Sequence, residues 1–202
     1  MSGVRGAPPG RAGALWLRRR LAVARRGSDV LRRKVAMLTA QRQRLRERAD
    51  ATGLELVRAD ATARTWLRRT AALDGADAFC AAAADAPPLT FVPRWITLLG
   101  VRCAEPPDLP GAGAPPMASG GAALAAAVAA YRDAAATAVR HAAAMHALIS
   151  VETALSAARQ RVRALERRWI PRLEAGLAAT ESQLAELEVA DTVRRIRAVP
   201  RR

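Results

Sequence analysis

From Leu17 the chain can be walked to Leu73 in alternating steps of four and three residues. The walk touches Leu17, Leu21, Ala24, Ser28, Leu31, Val35, Leu38, Arg42, Leu45, Ala49, Thr52, Leu56, Ala59, Ala63, Trp66, Thr70 and Leu73. Most of these are apolar or small, and only Arg42 is charged. A heptad seam sustained this far predicts one long helix with a coiled-coil stripe. Gly27 and Gly53 each cost about 1 kcal/mol relative to Ala, but neither ends the pattern. At about 1.5 Å per residue, a helix from roughly 14 to 83 is about 100 Å long. No compact domain built from 202 residues contains such a rod, so the reading predicts that it projects.

A second seam closes the chain: Leu148, Val151, Leu155, Ala158, Val162, Leu165, Trp169, Leu173, Leu177, Thr180, Leu184 and Leu187. Leu124, Val128, Tyr131, Val139 and Met145 extend this helix toward its N-terminus. After Leu165 the alternation lapses: three steps of four carry the walk through Trp169, Leu173 and Leu177, beside Pro171. Proline inside a helix removes a backbone hydrogen bond and bends the axis. A slipped seam changes the local supercoil. The slip is read either as an incidental kink or as a shaft built curved. Trp66 and Trp169 lie on the seams and read as core anchors rather than base-stacking platforms.

Two long helices with a short segment between them fold back most simply as an antiparallel pair. Composition shifts over 86–116, where Thr90-Phe91-Val92, Trp95-Ile96-Thr97 and Leu98 to Cys103 are the β-prone runs, interrupted by Pro93 and Gly100. They predict a short hairpin. Gly111 to Gly121 reads as a flexible Pro/Gly/Ala/Ser loop. The predicted fold is mainly α: a tail over 1–13, a coiled-coil helix over 14–85, a hairpin and loop region over 86–121, a second coiled-coil helix over 122–197 and a tail over 198–202.

Composition agrees with helix-on-helix packing. Of 103 residues in the hydrophobic set 50 are Ala, which forms helices well and buries little area. Residues 1–50 carry 14 basic and 3 acidic groups, 51–150 carry 8 of each, and 151–202 carry 11 and 7. Basic ends around a neutral middle suit an acidic partner, whether nucleic acid, membrane surface or protein, or else a solvated helix face. The stretch Ala14 to Leu17 runs straight into Arg18-Arg19-Arg20, unlike a secretory signal. The uncharged run Leu109 to Tyr131 contains Pro110, Pro115, Pro116 and several Gly, unlike a membrane span. Cys80 and Cys103 read as free thiols in a reducing cytoplasm, with a lone disulfide as the alternative.

Signatures of catalysis are missing. The single lysine, Lys34, precedes Val35 and not Ser or Thr, so no phosphate-binding P-loop is written here. There is no G-x-S-x-G and no dinucleotide-type glycine run. His141 and His146 are five apart, poor spacing for joint metal binding on a helix. Glu181, Glu186 and Glu188 read as a charged helix face. The expectation is therefore no catalytic residue, no cofactor and no metal.

At both ends the residues take on a resemblance. Arg20-Leu21-Ala22-Val23-Ala24-Arg25-Arg26-Gly27-Ser28-Asp29-Val30-Leu31, followed by basic residues through Lys34, resembles the N-terminal helix of the D subunits of V-type and archaeal-type rotary ATPases, with its R-L-x-x-A-x-x-G-x-x-L-L. Pro9-Gly10-Arg11 resembles that family's Pro-Thr-Arg start. Arg161-Val162-Arg163-Ala164-Leu165-Glu166 and Ile170-Pro171-Arg172-Leu173-Glu174 are similar to its R-V-N-A-L-E and I-P-x-L-E, and Asp191-Thr192-Val193-Arg194 to its D-T-F-R. Leu99-Gly100-Val101-Arg102 is similar to its hairpin segment. The sequence departs from the family where Val35-Ala36 replaces Arg-Asp, where Arg163 replaces Asn, and where it stops soon after Arg194.

The resemblance implies a non-catalytic central rotor stalk, cytoplasmic and peripheral to the membrane. Its terminal helices would sit inside a hexamer of catalytic A and regulatory B subunits. The F subunit, a small stalk component, would lie near the hairpin, and the C subunit, in turn, would link the stalk to the membrane ring. The resemblance further implies that rotation couples proton or sodium flow to ATP synthesis or hydrolysis. Leu21, Leu31, Lys34, Leu38, Val162, Leu165, Glu166, Trp169, Pro171 and Leu173 would form the coiled coil and its contacts with other subunits, and Leu99, Gly100, Val101 and Arg102 the hairpin. The competing reading is a basic coiled coil that binds nucleic acid or acts as a scaffold. Against it, the basic residues at 18–20, 25–26 and 32–34 do not form one stripe, and no aromatic residues are interleaved with them.

Overall fold

The computed structural model describes residues 6, 8–84, 91–106 and 121–198. In chain order its elements are α1 (Gly10–Leu73), α2 (Ala76–Ala84), β1 (Arg94–Leu98), β2 (Val101–Glu105), α3 (Ala122–Ala164), a π-helical turn (Leu165–Trp169) and α4 (Ile170–Ala198). The fold is mainly α, with a long helix at each end and a two-stranded antiparallel hairpin in the middle. The chain divides into two compact units, Met1–Ala36 with Ser156–Arg202, and Met37–Leu155.

Periodicity explains which residues are inside. Along the first seam every position except Leu73 is buried or half-buried. In the first unit, the start of α1 packs on α4 through Leu17, Leu21, Ala24 and Leu173, with Trp16, Ile170 and Leu177 against them. In the second unit, Leu38 and Val151 have no exposed surface and Leu155 has almost none. The rest of that interior is largely alanine: Ala49 and Ala63 on α1, and Ala127, Ala134, Ala136, Ala143, Ala144 and Ala147 on α3. Such side chains bury little area each, so the packing depends on its length. The buried hydroxyls of this unit, Thr70 and Thr137, are satisfied within their own helices: Thr70 donates to the Trp66 carbonyl and Thr137 to that of Asp133. Arg42, the one charged seam residue, is half-buried, and its Nε has no hydrogen-bond partner among the described residues.

The single helix expected over 14–85 is divided. α1 ends at Leu73, the Asp74 N–H donates to the Thr70 carbonyl at 2.7 Å, and Gly75 takes φ +83°. Glycine reaches that left-handed conformation without steric penalty, and it is the usual way a helix stops. The Asp-Gly pair carried this signal, but the tolerance of Gly27 and Gly53 masked it. The helix resumes as α2, whose Phe79 ring lies 5.1 Å from that of Tyr131 on α3. The Asp74 carboxylate also lies against Gly121, whose carbonyl accepts the Ala125 N–H at the start of α3. A carboxylate there is favoured by the helix dipole.

The predicted hairpin forms, and pairing runs from Arg94↔Glu105 to Leu98↔Val101. That register leaves Leu99 and Gly100 as the turn, with φ +52° and +77°. Two central residues with positive φ match the twist of a two-residue hairpin. Gly100 suits this, whereas Leu99 bears a local strain of about 1–2 kcal/mol. Trp95 is held between Arg102, 4.6 Å from its ring, and the edge of His146 on α3, with centroids 5.3 Å apart. Cys103 is buried, which pushes its thiol pKa up, while Cys80 is exposed; both are free. The loop expected over 111–121 lies outside the described residues except for Gly121. Within Ala122–Ala198 one 18-residue window reaches a mean hydropathy of 1.2, long and apolar enough by composition to cross a membrane. Its helix begins with the alanines that pack inside the second unit.

Candidate functional site

The first unit carries a ladder of charge. Arg11 pairs with Glu188 at 2.7 Å, Arg18 with Glu181 at 2.6 Å, Arg25 with Glu174 at 2.7 Å and Arg32 with Glu166 at 2.5 Å. On α1 the arginines recur every seven residues. On the opposing helix the first three glutamates do the same, but the step from Glu174 to Glu166 is eight. Exposed ion pairs contribute little stability each. At seam-flanking positions they select register and orientation, because a shift of one residue breaks every rung together. Glu181 and Glu188 are legible in sequence as part of a charged face; their partners on α1 emerge only when the antiparallel register is known.

The step of eight has a structural cause. Leu165–Trp169 is a π-helical turn, and the Ile170 N–H reaches back to the Leu165 carbonyl. A π turn holds one residue more than an α turn and arises where the ladder of hydrogen bonds admits an insertion. Pro171 follows it and has no N–H to give. The slip expected beside Pro171 is therefore a π turn. The inner seam is also corrected: it passes from Leu165 to Ile170 and then Leu173. Ile170 packs on the core cluster, whereas Trp169 is 37% exposed. Trp169 is thus not the buried anchor expected of it. Two steps of four and a five followed by a three span the same distance in sequence. If one residue of the turn is discounted, the corrected seam alternates threes and fours without a lapse.

Glu166 is the most connected side chain of the ladder. Its Oε1 accepts the Ser28 hydroxyl at 2.7 Å as well as the Arg32 Nε. These bonds, Arg32 first and Ser28 second, hold the Glu166 carboxyl below the ordinary carboxylate range, and the same contact raises Arg32. A depressed carboxylate stabilises the fold above its unfolded pKa, and that stability is lost as pH falls through the folded value. Glu166→Gln is therefore expected to lower Tm at neutral pH, with the gap from the unaltered chain closing on acidification. Melting curves at stepped pH check this; a gap that widens toward acid would contradict it.

The other residues singled out in sequence are spread along both units. Leu21 and Leu173 are buried in the first unit, with Leu31, Lys34, Val162 and Leu165 half-buried and Pro171 exposed; Leu38 is buried in the second. Leu99 and Gly100 form the hairpin turn, and Val101 and Arg102 begin β2. They do not converge on one point. His141 and His146 engage different neighbours, the Thr52 hydroxyl at 3.1 Å and the Trp95 ring. Arg11, Arg18, Arg25 and Arg32 are the residues that sequence reasoning missed. Their seven-residue recurrence was the available signal.

These features define a class: a mainly helical protein whose N- and C-terminal helices form an antiparallel pair registered by ion rungs, with a small hairpin lying between them in sequence. The sequence profile of ATP synthase D subunits matches residues 14–199, and the chain belongs to that family of rotary-ATPase stalk subunits. Membership implies association with other ATP synthase subunits. No curated protein matches the chain with significant sequence similarity.

Proposed function

We propose that the chain is the non-catalytic central rotor shaft of a V/A-type rotary ATPase. In this reading it turns inside the hexamer of catalytic A and regulatory B subunits, contacts the small F subunit, near its hairpin, and meets the C subunit, toward the membrane ring. It works at the cytoplasmic face and couples rotation driven by proton or sodium flow to ATP synthesis or hydrolysis. The family match across residues 14–199 carries the proposal. The ladder and the π turn support it physically. A shaft transmits torque only if its two helices cannot slide, and rungs that break together resist sliding. It biases catalytic sites only if it interacts differently with their conformations, since equal interaction shifts no equilibrium. A one-residue interruption on one helix makes the faces of the pair unequal.

Reconstitution tests the proposal. The remaining ATPase subunits, assembled without this chain, are expected to lose ATP-driven ion pumping entirely and to regain it when the purified chain is added. The chain alone is expected to show no ATP turnover. Coupled pumping that is unaffected by its omission would overturn the reading, as would salt-dependent DNA binding without entry into the complex.

A further inference from the structure

The first unit has a groove of about 600 Å³ on the flank away from the ladder. Three features build it. The π turn displaces Trp169 from the seam, so that the indole forms one wall beside Leu165. Trp16 and Val23 line it from α1. Between them Gly27 leaves the space open: a Cβ built there meets nothing within 4 Å.

The groove lies on a second stripe of α1, displaced by one residue from the inner seam. Trp16, Arg20, Val23, Gly27 and Val30 recur in steps of four and three, and Val23 and Val30 are 69% and 57% exposed. Apolar side chains at seven-residue spacing match the repeat of another helix. Its charge is one-sided. Among the described residues, Arg19 and Arg20 line the groove and no carboxylate does. Glu166, Glu174, Glu181 and Glu188 are all engaged on the ladder. Arg20 lies over the Trp16 ring at 5.1 Å, a contact that leaves its N–H groups available to an acceptor.

We propose that this groove receives a carboxylate-rich amphipathic helix of a partner protein. Apolar residues of that helix would seat between Trp16 and Trp169 over Gly27, and its flanking Asp or Glu would pair with Arg19 and Arg20. A nucleic acid fits less well, because a phosphate backbone gains nothing from the valines of the stripe. The inference deepens the shaft reading by naming what one face of the shaft holds, and it rests on that reading for the partner.

The test places a photo-activated cross-linker at Val23 in the reassembled ATPase complex. The expected product joins Val23 to an acidic amphipathic helix of another subunit. Gly27→Leu fills the groove from a position open to solvent, so Tm should hold or rise while cross-linking falls at least tenfold. The pair Arg19→Glu and Arg20→Glu should reduce it similarly. Cross-links to a segment without carboxylates, cross-links to nucleic acid, or a yield unchanged by Gly27→Leu would overturn the inference while leaving an assembled, pumping complex and the shaft reading intact. If the chain does not enter the complex, the shaft reading fails. The groove is then judged by a three-heptad peptide with Leu on its seam and Glu on its flanks. Binding that Gly27→Leu weakens tenfold sustains the groove's preference, and equal binding to both chains ends it.

Discussion

Leu173→Ala is expected to destabilise the first unit by about 3 kcal/mol, and Trp169→Ala by only about 1 kcal/mol. The ranking reverses what side-chain size suggests. Leu173 has no exposed surface and packs on Leu17, Leu21 and Ala24. Truncating it removes buried methyl groups and leaves a cavity that two stiff helices cannot close. Trp169 is 37% exposed, and water already reaches much of its ring. Denaturant melts of the two full-length variants, followed by circular dichroism, check the pair. An equal loss from both would mean that the inner seam passes through Trp169 and not Ile170.

Deleting Arg168 is expected to impair function without destabilising the fold. The deletion removes one residue between Glu166 and Glu174, so the rungs become uniform at seven and the step from Leu165 to Ile170 becomes four. An ordinary α-helix then satisfies both patterns, and Tm is expected to hold or rise. Pro171→Ala is a milder version that restores a backbone donor just after the turn. If the unequal faces of the shaft help to distinguish the catalytic positions, ions pumped per ATP should fall severalfold for the deletion and less for Pro171→Ala, with ATP hydrolysis retained. Both readouts come from the reassembled complex. Unchanged pumping per ATP in both variants would make the turn a structural accommodation only.

Much of this architecture was legible in the residues. Heptad steps placed the inner face of α1 correctly from Leu17 to Thr70, because a side chain's direction on a helix follows from its index alone. The hairpin was legible from β-prone runs around Gly100, and the family from motifs at both ends. The lapse after Leu165 was visible too, as an irregularity of one residue. Its nature was not. Trp169 and Ile170 are adjacent and both apolar, so periodicity cannot choose between them; the choice is made by whether the Ile170 N–H bonds four or five residues back. The end of α1 is a similar case, since Gly27 and Gly53 continue a helix and Gly75 ends one. Their difference lies in backbone φ, which the glycines do not encode; the neighbouring Asp74 was the one local cue.

Local periodicity and motifs read in order are thus enough to establish that two long helices exist, which stripe of α1 is buried, and which family they belong to. Other features wait on the folded pair: which glutamate faces which arginine, that the extra residue is held in a π turn, and that Trp169 lines one groove with Trp16. Each of these depends on the register between distant segments, such as Arg25 and Glu174, 149 residues apart. No spacing within either helix contains that register, because it is set where the helices meet, by rungs that form together or not at all.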